Sequence, residues 1–74
     1  MRITIKLFAF LQTGRFDEET RAFNPGTTVE QVMKELGISD DQATLVFVNG
    51  RHVKASVELN DGDTLALFPP IGGG

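Results

Sequence analysis

Few side chains in this sequence can do chemistry. Histidine occurs once, at His52, next to the Asn49-Gly50-Arg51 stretch, and there is no cysteine to pair with it. A lone histidine beside a tight turn reads as an ordinary hairpin residue. The carboxylates that come close in sequence, Asp40-Asp41 and Asp61/Asp63, fall where a helix exit and a turn are expected. There, aspartate's hydrogen bonds to nearby backbone explain its presence. None of the glycines opens a GxxxxGK[ST] loop, so no phosphate cradle for a nucleotide is expected. Neither a metal site nor a bound cofactor is expected, and the chain is not expected to act as an enzyme by itself.

What remains is the ending, FPPIGGG, Phe68 to Gly74. Its one unusual group is the α-carboxylate of Gly74. Ionised at neutral pH, it is a poor acyl donor and must be activated, for example as a mixed anhydride with AMP. Without a nucleotide loop of its own, the chain needs another protein to spend the ATP in trans. Glycines at Gly72 and Gly73 carry no side chain to obstruct a narrow channel and let the backbone approach closely. Pro69 holds Phe68 extended, and the Pro69-Pro70 pair favours a stiff polyproline segment directed outward. Six residues, 69–74, can span roughly 20 Å at full extension. We therefore expect a folded body at residues 1–68 and a flexible tail at 69–74.

The body must present that tail. Residues 2–8 alternate strictly, with Ile3, Ile5 and Leu7 on one face and Arg2, Thr4, Lys6 and Phe8 on the other, which is a half-buried strand. A loop around Gly14 leads to a short strand near Thr20–Phe23, ended by Asn24-Pro25-Gly26. A helix follows. Thr28 lies three residues before Gln31 and Thr27 three before Glu30, so either can form a capping box. Val29, Val32, Met33 and Leu36 make one apolar stripe, and Gly37 stands where a left-handed residue closes a helix. Thr44–Val48 is a strand, Asn49-Gly50 a type I′ hairpin turn, Arg51–Val53 its return, and Thr64–Phe68 the last strand after a turn at Asn60–Asp63. The order β-β-α-β-β-β, with one helix to cover one face, predicts an α+β fold of the β-grasp (ubiquitin-like) type. In it a mixed sheet of four or five strands wraps one helix, with the first and last strands parallel neighbours. Phe8 and Phe68 would then sit together where the tail departs. Two readings stay open for them: a docking patch for a partner, or plain core beneath the loop Ala9–Phe16.

Size and charge set the remaining bounds. A chain of 74 residues buries only about 60% of its unfolded surface. With no cysteine, the core must be apolar packing alone, and six phenylalanines help to supply it. The formal charge of −3, with scattered Lys and Arg, argues against a nucleic-acid footprint. No apolar run is long enough for a membrane span, and MRITIKLFAF lacks the continuous apolar stretch of a secretion signal. A cytoplasmic protein is expected.

The stretches IKLFA, GTTVEQVMKELGI, VFVNG, DGD and LALFPPIGGG resemble the MoaD/ThiS family of sulfur-carrier proteins over nearly the whole chain. The resemblance implies a ubiquitin-like carrier whose terminal glycine, Gly74, is adenylated by an E1-like enzyme and converted by a sulfur donor system to a thiocarboxylate. The sulfur then goes to a cofactor precursor. Leu67, Phe68, Pro69 and Pro70 match three of the four positions of the FFPP signature of the molybdopterin synthase small subunit. That branch, whose partner is the synthase large subunit, is favoured, and its outer-face aromatics map to Phe8 and Phe68. The thiamine branch, whose partner is thiazole synthase, and protein-conjugating ubiquitin-like modifiers are the alternatives. A third class of reading is a plain β-grasp interaction module with an inert tail. The family ends in Gly-Gly; Gly72 adds a third glycine.

Overall fold

The alternation of residues 2–8 resolves into β1, Arg2–Leu7, in the computed structural model, which describes residues 1–70. Ile3, Ile5 and Leu7 are buried to 1% exposure or less. After β1 come β2 (Glu18–Ala22), the helix α1 (Val29–Leu36), β3 (Leu45–Val48), β4 (Arg51–His52) and β5 (Thr64–Phe68). Among the described residues the five strands form one sheet in the order β2-β1-β5-β3-β4. β1 and β5 are parallel neighbours with Lys6 opposite Ala66 and Leu7 opposite Leu67. Their other neighbours, β2 and β3, run antiparallel to them. This is the β-grasp expected, with five strands.

One face of the sheet is the core. Leu65 and Leu67 join the β1 triad, Val46 lies opposite Leu67, and Val29, Val32 and Met33 of α1 complete the cluster. Fully burying one such side chain is worth about 1.5–3 kcal/mol, and with no disulfide these residues carry the fold.

The helix is tied at both ends. Of the two candidate caps, Thr28 is the one used. Its hydroxyl accepts from the Gln31 amide at 3.2 Å, and the Gln31 side chain accepts from the Thr28 amide at 2.9 Å. Thr27 instead donates to the Asn24 carbonyl in the preceding turn. The next two helical amides, Val29 and Glu30, donate to the carbonyls of Val57 and Ala55, so the β4–β5 connection crosses the helix start and satisfies donors the helix cannot. At the far end Gly37 is left-handed (φ 72°), and the Ile38 amide returns to Met33 O at 2.9 Å, burying Ile38 as in a Schellman closure.

The largest departure from the sequence reading is the segment after β1. Instead of a plain loop, Ala9–Gln12 forms a 3-10 turn whose Leu11 is fully buried. Arg15 anchors it: its guanidinium donates to the carbonyls of Leu36 (3.0 Å), Leu11 (3.1 Å) and Gly37 (3.1 Å). Element edges also shift. β2 begins at Glu18 rather than Thr20, because Lys6 and Ile5 pair with Glu18 and Glu19. β4 stops at His52, although the Val53 amide still bonds Val46 O.

Candidate functional site

The tail leaves from the end of β5. Phe68 is its last residue, followed by a half-buried Pro69 and an exposed Pro70. Gly72, Gly73 and Gly74 lie outside the described residues. β5 is gripped on both sides, by β1 and by β3, so the tail is mounted on an interior strand rather than on an edge.

The face of the sheet turned away from the helix carries an aromatic cluster at this same end. Phe8 and Phe68 stack with ring centroids 4.2 Å apart and planes 9° from parallel. Phe47 meets Phe68 edge-on at 5.6 Å, and His52 lies against Phe47 at 5.5 Å. Leu45, opposite Phe68, and Ala66, opposite Phe47 and Lys6, extend the patch. None of the three phenylalanines belongs to the buried cluster or packs against it. The loop Ala9–Phe16 does not cover Phe8 and Phe68 as core. Leu11 turns into the interior, Phe10 is 52% exposed and Phe16 packs on the core cluster. Phe8 and Phe68 stand together as the parallel register required. Sequence alone does not single out Phe47. Its signal was the alternation of Leu45 and Phe47 with Val46 and Val48, but spacing alone does not say which strand β3 lies beside.

The other polar candidates take structural places. Asp63, 8% exposed, accepts from the Asn60 amide at 2.7 Å and from the Asn49 side chain at 2.8 Å, joining two turns. Asp61 accepts instead from the Arg2 amide at 2.7 Å, 59 residues away, a partner that turn chemistry does not foretell. His52 is exposed on β4. Among the described residues no three His, Asp or Glu side chains are grouped to hold a metal ion, and no helix is long and apolar enough to cross a membrane.

A model of the ThiS family matches residues 5–74, through the last glycine. The chain belongs to the ThiS family. That family consists of small ubiquitin-like proteins, sulfur carriers or modifiers rather than catalysts. Among curated proteins none is significantly similar in sequence. Among solved structures, a putative molybdopterin converting factor subunit 1 from Pyrococcus furiosus is 28% identical, with 96% of this chain and 99% of that one covered and a TM-score of 0.77. Small archaeal modifier protein 1 of Haloferax volcanii is 25% identical, covering 95% and 98%, with a TM-score of 0.77. A chain of the complex of subunits 1 and 2 of molybdopterin-converting factor from Helicobacter pylori is 18% identical over the full length of both chains. At a TM-score of 0.66 it shares the fold. This ThiS-family protein therefore has the architecture of both carriers and modifiers.

Proposed function

We propose that the protein is a sulfur carrier. In this reading an E1-like enzyme binds the body and uses ATP in trans to adenylate Gly74. A sulfur donor system then displaces AMP to leave a terminal thiocarboxylate. Gly72 and Gly73 give passage into the partner's channel, Pro69 and Pro70 hold the tail away from the sheet, and Phe8 and Phe68, with Phe47, dock the partner. The single observation that carries the reading is the reach of the family match through the terminal glycines. The aromatic cluster at the tail's point of departure supports it: partners that must receive the tail would meet this patch first.

The acceptor branch we favour is molybdopterin synthesis, with the synthase large subunit as second partner. It is supported by the likeness to molybdopterin converting factor subunit 1 and by the Phe68-Pro69-Pro70 stretch. In the thiamine branch thiazole synthase would take the same place. One observation favours a second reading, a modifier joined through Gly74 to lysines of other proteins: the likeness to small archaeal modifier protein 1.

The test is co-expression with a cognate activating enzyme and a sulfur source, followed by intact-mass measurement. A species with one terminal oxygen replaced by sulfur is the expected product, and a variant with one residue appended after Gly74 is expected to show none. Absence of that species in the parent protein refutes the carrier reading, and isopeptide-linked adducts in its place establish the modifier.

A further inference from the structure

Independently of the tail, the hairpin turn carries chemistry of its own. The backbone nitrogen after an asparagine can attack that asparagine's side-chain carbonyl carbon. A nitrogen–carbon bond forms, ammonia leaves, and the resulting succinimide is opened by one water to aspartate or isoaspartate. Glycine in the following position has no side chain to obstruct the attack. Of the three asparagines, Asn24 precedes Pro25, Asn60 precedes Asp61, and Asn49 precedes Gly50. Proline has no amide hydrogen to give up, so Asn24 is closed to this route.

The fold grips the Asn49 amide at both atoms. Its Oδ1 accepts from the Thr64 amide at 2.9 Å, and its Nδ2 donates to Asp63 Oδ1 at 2.8 Å. A backbone N–H only donates and a carboxylate only accepts, so the amide's orientation is set by its partners. The backbone N–H of Asn49 is bound as well, donating to the Thr64 carbonyl at 2.9 Å. These anchors lie at Thr64, the first residue of β5, and at Asp63 just before it, on the side of β3 away from β4. The rotation that would carry the side-chain carbonyl to the Gly50 nitrogen breaks two side-chain bonds.

We propose that Asn49 is a latent deamidation site, kept intact by its clamp to Asp63 and Thr64 and released when the β3–β4 hairpin opens. The conversion reinforces itself. Aspartate at position 49 loses the donor that faced Asp63 and sets two carboxylates against each other in a half-buried place. Isoaspartate adds a main-chain carbon to a two-residue turn whose residues both need positive φ (52° at Asn49, 81° at Gly50).

The experiment incubates the full chain in mildly alkaline buffer, with and without denaturing urea, and follows tryptic peptides by mass. Trypsin places Asn24, Asn49 and Asn60 in separate peptides, residues 22–34, 35–51 and 55–74. In urea the 35–51 peptide is expected to convert first, gaining the mass of OH in place of NH2. In native buffer it should convert at least about tenfold more slowly, because a protected site reacts only through local opening. Asp63→Ala is expected to raise the native rate severalfold and leave the rate in urea unchanged. Asn49→Asp, the product itself, should raise the unfolded-to-folded ratio about ten- to a hundredfold at neutral pH. Equal rates with and without urea, faster conversion of the 55–74 peptide, or an Asn49→Asp variant as stable as the parent would each overturn the proposal. The comparison in urea needs no variant, so it decides even if Asp63→Ala does not fold.

Discussion

Replacing Arg15 by methionine removes the side chain that, among the described residues, hydrogen-bonds both the 3-10 turn and the end of α1. The guanidinium spans three carbonyls at 3.0–3.1 Å. A hydrogen bond from a charged donor contributes about 1.5–3 kcal/mol, but the three do not simply add. Gly37 is exposed and its carbonyl can turn to water, while Leu36 is half-buried and Leu11 fully buried. Counting the three as little more than one effective bond, plus a few tenths for a cation at the helix C-terminus, the loss is about 2–4 kcal/mol. A chain of this length has a total stability of about 4–11 kcal/mol, so the variant should melt roughly 10–30 °C lower. Urea unfolding followed by circular dichroism gives the free energy directly, and the slope of the transition should not change. Arg15→Lys separates charge from shape. A point-like ammonium cannot span three acceptors, so it should recover no more than about half of the loss. A methionine variant within about 1 kcal/mol of the parent, or a lysine variant equal to it, refutes the clamp as described.

Three further outcomes are expected. Thr28→Ala should cost about 1 kcal/mol, and Thr28→Ser should restore most of it; urea midpoints measure both. A double-mutant cycle of Phe8→Ala and Phe68→Ala should return a coupling of about 0.5–1.5 kcal/mol for the stacked pair, and a coupling of zero would mean that the rings lie together without mutual support. Ala9→Gly should stabilise the protein by about 0.5–1 kcal/mol, because Ala9 sits at φ 54°, a region that costs a residue with a Cβ about 1–2 kcal/mol; thermal melts check the sign.

Much of this fold is written locally. The period of two in β1 and β5, the threonine–glutamine box, Gly37 and the Asn49-Gly50 turn each act over a few residues, and each predicted element is present. The parallel pairing of β1 and β5 follows from topology, and with it the meeting of Phe8 and Phe68. What could not be read is held by distant partners. The 3-10 turn has no side-chain cap of its own and depends on Arg15 reaching the helix end. Leu11 is buried because that reach brings it inward. Asp61 answers to Arg2 at the other end of the chain. Phe47 joins the aromatic cluster only once β3 is known to lie against β5, and a single run of alternating residues does not name its neighbour.

Because β5 runs parallel to β1, the strand that bears Pro69 and Pro70 is mechanically well placed. Tension applied to the tail is directed along β5, so its bonds to β1 are loaded together in shear rather than opened one by one like a zipper. The neighbouring β3 takes up load on the other side. A partner can draw the chain end taut without peeling the sheet that holds it.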